Sequence, residues 1–317
     1  MKGIRPMFGL RLSGTVLALL MALVQSALAI NSNAGTTGFN FLKIGVGART
    51  AALGGANTAL SGDLEVAASN PASLYDVRER TAALSLTSYL VDSEAGFISL
   101  ALPGENRTWG IAVNYFTHGD LQRTDSEGRD QGTFGAFDMA AQITAAQKMW
   151  QRRLTVGASF KAIYSSIDDY TSDAYAVDLG VLAPGPIDGM TLGASLANIG
   201  SVRSGFTDSF EDSLPVLFKV GLSHRPAHAP VPMTLLADLN VPNDNDTYLT
   251  FGAELNLGKG LLVRPGYSMQ QTGLDGEEAI GLTAGAGVAL ERYHVDYAFT
   301  SFPAFGDVHR ISLNSTF

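Results

Sequence analysis

One stretch of the sequence has part of the pattern of a dinucleotide-binding loop. Gly45-Val46-Gly47 follows an apolar run, and an acidic residue, Glu65, stands roughly twenty positions after Gly45. Thr50 occupies the place of the loop's third glycine, and no alternation of strands and helices follows. The pattern therefore does not favour a nucleotide site.

Two other groups of residues have metal-ligand chemistry. His224 and His228 have the spacing of a helical metal pair, but Pro226 lies between them and Pro230 follows, so no helix can present both rings. We expect them in a turn on the periplasmic side. The run Asn243–Asp246 offers oxygen ligands for calcium, yet it lacks the glycine and distal glutamate of a calcium loop and is interpreted as an acidic turn.

Enzyme chemistry has little support elsewhere in the sequence. The chain contains no cysteine, which excludes disulfides, zinc-thiolate sites and thiol catalysis. It also contains no Gly-x-Ser-x-Gly elbow, the commonest hydrolase signature. These motifs therefore give no support to thiol or serine-hydrolase chemistry, and we predict no cofactor and no metal.

The first residues have the pattern of a secretory leader. Basic residues precede an apolar run over Leu12–Val24, and Ala27-Leu28-Ala29 supplies the small-x-small pattern that signal peptidase cuts. The apolar run is shorter than the ~20 residues of a spanning helix, which disfavours an uncleaved anchor. Cleavage after Ala29 removes three positive charges and takes the formal net charge from -9 to about -12. Such a charge argues against a nucleic-acid partner.

From about Arg80 onward, apolar and polar residues alternate with a period of two. Asp246–Leu257 places Leu249 and Phe251 on one face and Thr250 on the other, and Trp109–Tyr115 repeats the pattern. Marking every such run predicts about fourteen strands of roughly 8 to 14 residues, an even number and long enough to cross a bilayer when tilted.

The links between these strands differ in length and charge. Alternate links are short, such as Pro103–Arg107 and Gly258–Gly260, whereas the others include Thr117–Thr133, Gly200–Ser213 and Gln270–Glu278. Acidic residues gather at the end with the long links and basic residues at the end with the short ones. This division is typical of an outer-membrane barrel with periplasmic turns and external loops. We therefore predict an all-β, transmembrane, antiparallel up-and-down β-barrel in the outer membrane.

The last strand also fits a barrel. Ile311, Leu313 and Phe317 share one face, and the chain ends on an aromatic residue, the pattern by which barrel-assembly machinery is expected to recognise a client. The predicted partners at this level are that machinery and outer-membrane lipid.

The segment between leader and wall is rich in small residues, most densely over Gly47–Leu74. A barrel of about fourteen strands is wider than its own side chains can fill, so its lumen is either open or plugged. We predict a signal peptide over residues 1–29, a lumenal plug, or hatch, over 30–79, and the barrel over 80–317. Asn70-Pro71 is interpreted as the turn where the chain leaves the lumen. Three carboxylates are expected to face the lumen, hydrated or paired with plug residues such as Arg49: Asp178, Glu254 and Asp296.

Three stretches carry a family resemblance: "FLKIGVGARTAALGGANTAL", "ASNPASLYD" and "VDYAFTSFPAFGDVHRISL". They resemble the PorV/PorQ family of outer-membrane proteins, within the broader FadL-like barrel group. The resemblance implies a fourteen-stranded barrel, an N-terminal hatch held by an Asn-Pro-Ala element, and no enzymatic activity. The candidate hatch residues are Gly45, Gly47, Arg49, Gly54, Gly55, Asn70, Pro71 and Ala72.

The resemblance also implies a function. PorV-like proteins work beside the type IX secretion translocon, where they accept exported proteins and carry them to the attachment machinery. FadL-like relatives instead pass hydrophobic molecules through the wall. The prediction is therefore a secretion accessory or cargo carrier, whose partners are the translocon and exported proteins, with a channel for hydrophobic small molecules as the alternative.

Overall fold

A computed structural model of the chain describes residues 33, 35–149, 153–207, 212–270, 281–302 and 306–317. The predicted leader and its cleavage after Ala29 lie outside the described residues and stay predictions. None of the helices in the described ranges combines the length and apolar content needed to cross a membrane.

The described residues from Thr81 onward form a closed barrel of fourteen antiparallel strands, as predicted. Each strand pairs with its neighbours in chain order, and the first pairs with the last, with Leu84 opposite Leu313. The strands are β1 (Thr81–Ser88), β2 (Glu94–Pro103), β3 (Arg107–Thr124), β4 (Asp130–Met149), β5 (Leu154–Ile167), β6 (Tyr170–Pro184), β7 (Met190–Ser204), β8 (Leu217–His224), β9 (Met233–Pro242), β10 (Tyr248–Gly258), β11 (Leu261–Ser268), β12 (Leu282–Leu290), β13 (Tyr293–Phe302) and β14 (Gly306–Thr316).

The period-two alternation sets which face of each strand points inward. Ile111 has an exposed fraction of 52% on the outer face, whereas Thr250 has 2% on the inner face. Apolar side chains cover the outside, which suits a hydrocarbon environment, and small or polar side chains point into the lumen. The register predicted for Trp109–Tyr115 and Asp246–Leu257 is confirmed.

Two of the predicted links are wrong because strands extend into them. The predicted link Thr117–Thr133 is mostly strand: β3 has 18 residues, β4 has 20, and pairing between them continues to Thr124 and Asp130. Thr117 is the last β3 residue that pairs with β2, so the outer part of this hairpin stands clear of its neighbours. Both of its faces are solvated there, which removes the apolar alternation that marks a strand in the sequence. The strand β7 also enters Gly200–Ser213 and continues to Ser204, where it pairs with β6 and its Val202 packs against the apolar cluster of Phe39 and Phe41.

We call residues 33–80 the N-terminal segment. Its short helices are α1 (Ala48–Ala52) and three 3-10 helices, Asn40–Lys43, Val66–Ala68 and Pro71–Asp76. Thr37 pairs with Ser213 at the end of the barrel that carries the long links, the long-loop end. The segment then runs the length of the barrel, and the chain enters β1 at the short-turn end.

Candidate functional site

The N-terminal segment is bound to the inner face of the barrel by a buried carboxylate. One oxygen of Asp238, on β9, accepts hydrogen bonds from the backbone N–H groups of Asn57 (2.8 Å) and Thr58 (2.9 Å) and from the Thr58 hydroxyl (2.7 Å). Lys219 on β8 lies 3.4 Å from the same oxygen and donates to the carbonyl oxygen of Gly55 (3.0 Å). Two charged wall residues thus fix the backbone of Gly55, Asn57 and Thr58 in a segment with little regular structure.

Hydroxyl groups of the wall pair with other backbone groups of the segment. Ser312 on β14 accepts a hydrogen bond from the N–H of Ala48 (2.8 Å), and Thr283 on β12 donates to the carbonyl oxygen of Ala52 (2.9 Å). Buried backbone groups need such partners, and a short helix cannot supply them all internally. The small polar residues on the inner face therefore match the backbone of the segment.

Glycines of the wall let the segment approach closely. A Cβ atom at Gly157 on β5 would overlap Pro71, and one at Gly193 on β7 would overlap Thr58. The predicted close packing of backbone on backbone is therefore present, but the wall supplies many of the glycines. Sequence reasoning missed these positions, because a glycine inside a strand has no pattern that identifies what it faces.

Only some of the candidate hatch glycines lie so close to other atoms that a Cβ would not fit. Gly54 has φ +66° and a Cβ there would lie 2.7 Å from the backbone N of Tyr267, while a Cβ at Gly47 would overlap the carboxyl group of Glu65. Gly45 and Gly55 have no atom within 4 Å of such a Cβ. For these two residues the assumption of close backbone packing is wrong, and Gly55 instead serves a turn with φ +83°.

The Asn70-Pro71-Ala72 element does not form the predicted exit turn. The Asn70 side chain accepts a hydrogen bond from the N–H of Ala72 (3.1 Å) and donates to the carbonyl oxygen of Thr58 (2.7 Å), fully buried. Asparagine at an N-cap followed by proline begins a helix, here Pro71–Asp76, and the chain reaches the wall only at Thr81. The element ties two parts of the segment together.

Charged side chains form a buried network around Arg49. Its guanidinium contacts both oxygens of Glu254 (2.8 and 2.9 Å) and one of Asp63 (2.9 Å). Arg264, fully buried on β11, bridges Glu254 (2.7 Å) and Asp296 (2.5 Å). The expected pairing of a lumenal carboxylate with Arg49 is thus present for Glu254.

Glu65 lies beside this network without a hydrogen-bond partner among the described residues. Its exposed fraction is 1%, and neither carboxyl oxygen accepts a hydrogen bond. Burial, together with the negative charge of Asp63, raises the pKa of Glu65 to about 8. The side chain lines a lumenal cavity of about 90 Å³. The third lumenal carboxylate, Asp178, pairs instead with Lys161 on β5 (2.6 Å).

The acidic turn Asn243–Asp246 holds the other end of the segment. Buried Asp244 accepts hydrogen bonds from the Thr37 hydroxyl and the Lys43 ammonium group. Nothing in the sequence pattern connects a turn with residues about two hundred positions earlier. His224 ends β8, and His228 lies in the following turn at the short-turn end. Within the described ranges, no three His, Asp or Glu side chains group as metal ligands.

The C-terminal residues lie on the lipid-facing side of the wall. Ile311 and Leu313 on β14 are exposed on the outer face, as is Phe317, whose N–H donates to the carbonyl oxygen of Arg80 (2.9 Å). This bond continues the pairing that closes the barrel. Recognition of these residues by assembly machinery stays a prediction.

Comparisons with known proteins agree on the fold. The pattern of the uncharacterised protein family UPF0164 matches residues 19–174, from the leader to the start of β6. The Pseudomonas putida toluene transporter TodX has a similar structure, with a TM-score of 0.63, 14% identity, and coverage of 85% of this chain and 96% of TodX. The deltaS2 mutant of the TodX monoaromatic hydrocarbon channel gives a TM-score of 0.63 at 14% identity, over 86% of this chain and 97% of the other. No curated protein sequence matches the chain.

The fold of the chain is therefore similar to that of TodX. These neighbours are described as a channel and a transporter rather than as enzymes. PorV/PorQ is not named by any of these comparisons and stays a resemblance of the sequence.

Proposed function

We propose that the protein is a gated outer-membrane channel for small molecules, in which the N-terminal segment is the plug. The observation that carries the proposal is the position of the segment's contacts. Ala48 is bonded to β14, whereas Thr58 packs on β7, and these strands are seven places apart in a ring of fourteen. A segment that contacts opposite sides of a closed wall crosses its lumen.

The size of the internal spaces supports a closed resting state. The cavity beside Glu65 measures about 90 Å³, and a neighbouring space that shares Gly45 and Phe97 measures about 10 Å³. Phe39, Phe41 and Phe116 pack together between these spaces and the long-loop end. A larger space of about 410 Å³, lined by Arg49, Asp63 and residues of β13 and β14, lies at the short-turn end. Passage of a small organic molecule from it through the smaller spaces to the long-loop end requires the segment to move.

The contacts between the N-terminal segment and the inner face of the barrel, which we call the seat of the segment, are suited to a gate. The segment is held by buried apolar contacts, such as those of Leu53 and Val66, and by hydrogen bonds and ion pairs such as those of Asp238, and water can replace the polar bonds when the segment leaves. The outer face of the barrel, by contrast, is stabilised by pairing within the sheet and by lipid. We propose that the wall stays folded while the plug opens.

A reversible lock tests this function. A Cβ at Gly38 would lie 3.1 Å from the Cβ of Asp212, near the ~3.8 Å separation of a disulfide, and the native chain has no cysteine. The double variant Gly38→Cys, Asp212→Cys should tether the plug to the long-loop end when oxidised. Uptake of a small solute that lipid alone excludes, such as choline, into liposomes containing the purified barrel should stop on oxidation and return on reduction.

The two single-cysteine variants are the controls, because they carry the same substitutions without the bond. Their uptake should not respond to oxidant. Unchanged uptake through the fully oxidised double variant would contradict a gate at the long-loop end.

A second candidate function is favoured by the β3–β4 hairpin. Its outer part pairs with neither neighbouring strand and exposes charged residues, among them Glu127, Arg129 and Asp130. A projecting, charged ribbon suits contact with another protein, as expected of a PorV/PorQ-like secretion accessory that binds a translocon and exported cargo. Crosslinking from intact outer membranes, compared with a variant lacking residues 119–133, tests this role. Capture of translocon subunits or cargo that depends on the hairpin supports it, and identical capture by both proteins contradicts it.

A further inference from the structure

The cavity beside Glu65 lies between the N-terminal segment and the wall. Leu42, Ile44 and Val46 of the segment line one side, and residues of β2 to β5, including Phe97, line the other. Its volume of about 90 Å³ compares with the ~150 Å³ of an engineered cavity that binds benzene, so about four heavy atoms fit. Both the segment and the wall contribute apolar side chains to the lining, and both contribute polar ones, Glu65 from the segment and Asn114 and Gln142 from the wall.

The polar side chains of the lining have unused hydrogen-bonding capacity. Both carboxyl oxygens of buried Glu65 lack a partner, and the side chains of Asn114 on β3 and Gln142 on β4 make no hydrogen bond with any residue in the described ranges. Leaving a buried polar group unpaired costs about 1 to 3 kcal/mol. Of the described residues that line this cavity, Glu65 is the one with buried, unpaired oxygens, and Asn114 and Gln142 beside it are half-buried. A buried carboxyl group without a partner at a cavity indicates a ligand rather than a packing defect.

The charges around Glu65 favour a positively charged ligand. Three cations and four carboxylates face this region before Glu65 is counted, so its ionisation adds to an existing negative excess. These groups are Arg49 and Asp63 of the segment, Lys161 on β5, Asp178 on β6, Glu254 on β10, Arg264 on β11 and Asp296 on β13. The His294 ring also lies 3.4 Å from the Asp296 carboxylate. A cation bound beside Glu65 offsets that excess, which a neutral or anionic ligand does not.

We infer that this cavity binds a small primary alkylamine, with its ammonium group on the Glu65 carboxylate and its carbon chain against Leu42, Ile44 and Phe97. Asn114 and Gln142 supply the remaining acceptors for the ammonium hydrogens. The cavity exists only while the segment is seated, so the inference rests on the plug of the proposed function and assigns a ligand class to it.

Binding to the refolded full-length barrel in detergent tests the inference, with n-propylamine, n-propanol and propionate as probes of equal size. By ligand-observed NMR titration at pH 7.5, n-propylamine should bind at least tenfold more tightly than either of the other two. Its affinity should rise about tenfold between pH 6 and pH 7, because the amine requires ionised Glu65 and the pKa of that group is about 8. The affinity of n-propanol should not follow this course.

The substitution Glu65→Gln keeps the size of the side chain and removes its charge. It should weaken n-propylamine binding at least tenfold and abolish the pH dependence, while Glu105→Gln in an exposed turn should change neither. Because Glu65→Gln could disturb the seat, protection of a cysteine at Ala56 from maleimide is measured in the same samples. Equal binding of amine and alcohol, or full amine binding by a well-seated Glu65→Gln protein, overturns the inference.

The disulfide-locked barrel separates this inference from the proposed function. Oxidation of Gly38→Cys, Asp212→Cys holds the segment in place, so amine binding should persist while uptake stops. Blocked uptake without amine binding refutes only the ligand assignment. If the oxidised variant binds the amine but its uptake is the same as in the reduced state, only the gate is refuted.

Discussion

Replacing Asp238 by asparagine should release the N-terminal segment and leave the wall folded. One oxygen of this carboxylate takes three hydrogen bonds from Asn57 and Thr58 and faces Lys219. An asparagine keeps one acceptor but loses the charge, so the Lys219 ammonium group stays buried without its counter-ion. Breaking a buried pair in this way costs about 3 to 5 kcal/mol. We take about 3 kcal/mol, because the amide oxygen retains part of the hydrogen bonding.

The opening of the segment can be measured directly with a cysteine at Ala56, which is fully buried in a chain without cysteine. Its rate of maleimide labelling reports how often the segment leaves its seat. A loss of about 3 kcal/mol should speed labelling roughly a hundredfold, since each 1.4 kcal/mol is a factor of ten. The folded barrel's gel mobility should not change.

Two further variants make the result specific. Asp188→Asn, in an exposed turn, makes the same chemical change away from the segment and should leave labelling unchanged. Adding Lys219→Met to Asp238→Asn should recover part of the protection, because it removes the unpaired ammonium group. Labelling of Asp238→Asn at the parent's rate, or unfolding of the wall together with the segment, would refute the reasoning.

Three other outcomes follow from the same geometry. Ile111→Arg on the outer face should cost the barrel about 2 to 4 kcal/mol in refolding titrations into lipid, whereas Ala112→Arg on the inner face should leave that stability nearly unchanged. Gly54→Ala should raise the conductance of planar bilayers more than Gly55→Ala. Both residues have positive φ, but only at Gly54 would an added Cβ contact the backbone of Tyr267. Equal effects of the two substitutions would contradict this packing. Burial of Glu65 in the closed state favours its protonated form. Protection of a cysteine at Ala56 from maleimide should therefore be greatest below about pH 4.5 and should fall toward pH 8 by about 1.4 kcal/mol per pH unit. Glu65→Gln should remove this pH dependence.

The wall could be predicted from the sequence because a membrane barrel imposes one rule along its length. Every residue of a spanning strand faces either lipid or lumen, so Trp109 and Ile111 alternate with Gly110 and Ala112 without exception. Beyond the membrane, neither face of a strand is in lipid, so the alternation of apolar and polar residues is no longer required. The outer part of the β3–β4 hairpin was interpreted as a loop for that reason, although its pairing continues to Thr124.

The seat of the segment could not be predicted in the same way. Asp238 and Asp244 are ordinary polar residues in their own strand and turn, and their partners lie about two hundred positions earlier in the chain. The expectation of small residues packing closely was correct in kind, but Gly45 and Gly55 make no close approach while Gly157 and Gly193 of the wall do. Such contacts depend on the path of an irregular segment, which no periodic pattern encodes.

On the proposed function, the segment must be held in the lumen and still be able to leave it. Alanine and glycine are frequent over Ala48–Gly55, but Leu53 in that stretch and Val66 are buried in an apolar cluster with Leu236 of β9. Leaving the lumen exposes this apolar area to water at about 25 cal/mol per Å², whereas the bonds to Ser312 and Thr283 are exchanged for bonds to water. The apolar contacts therefore contribute to the cost of opening together with the charged contacts of Asp238 and Arg49. The charged contacts are the ones that a single substitution can turn against the closed state, because removing one partner leaves the other charge buried and unpaired.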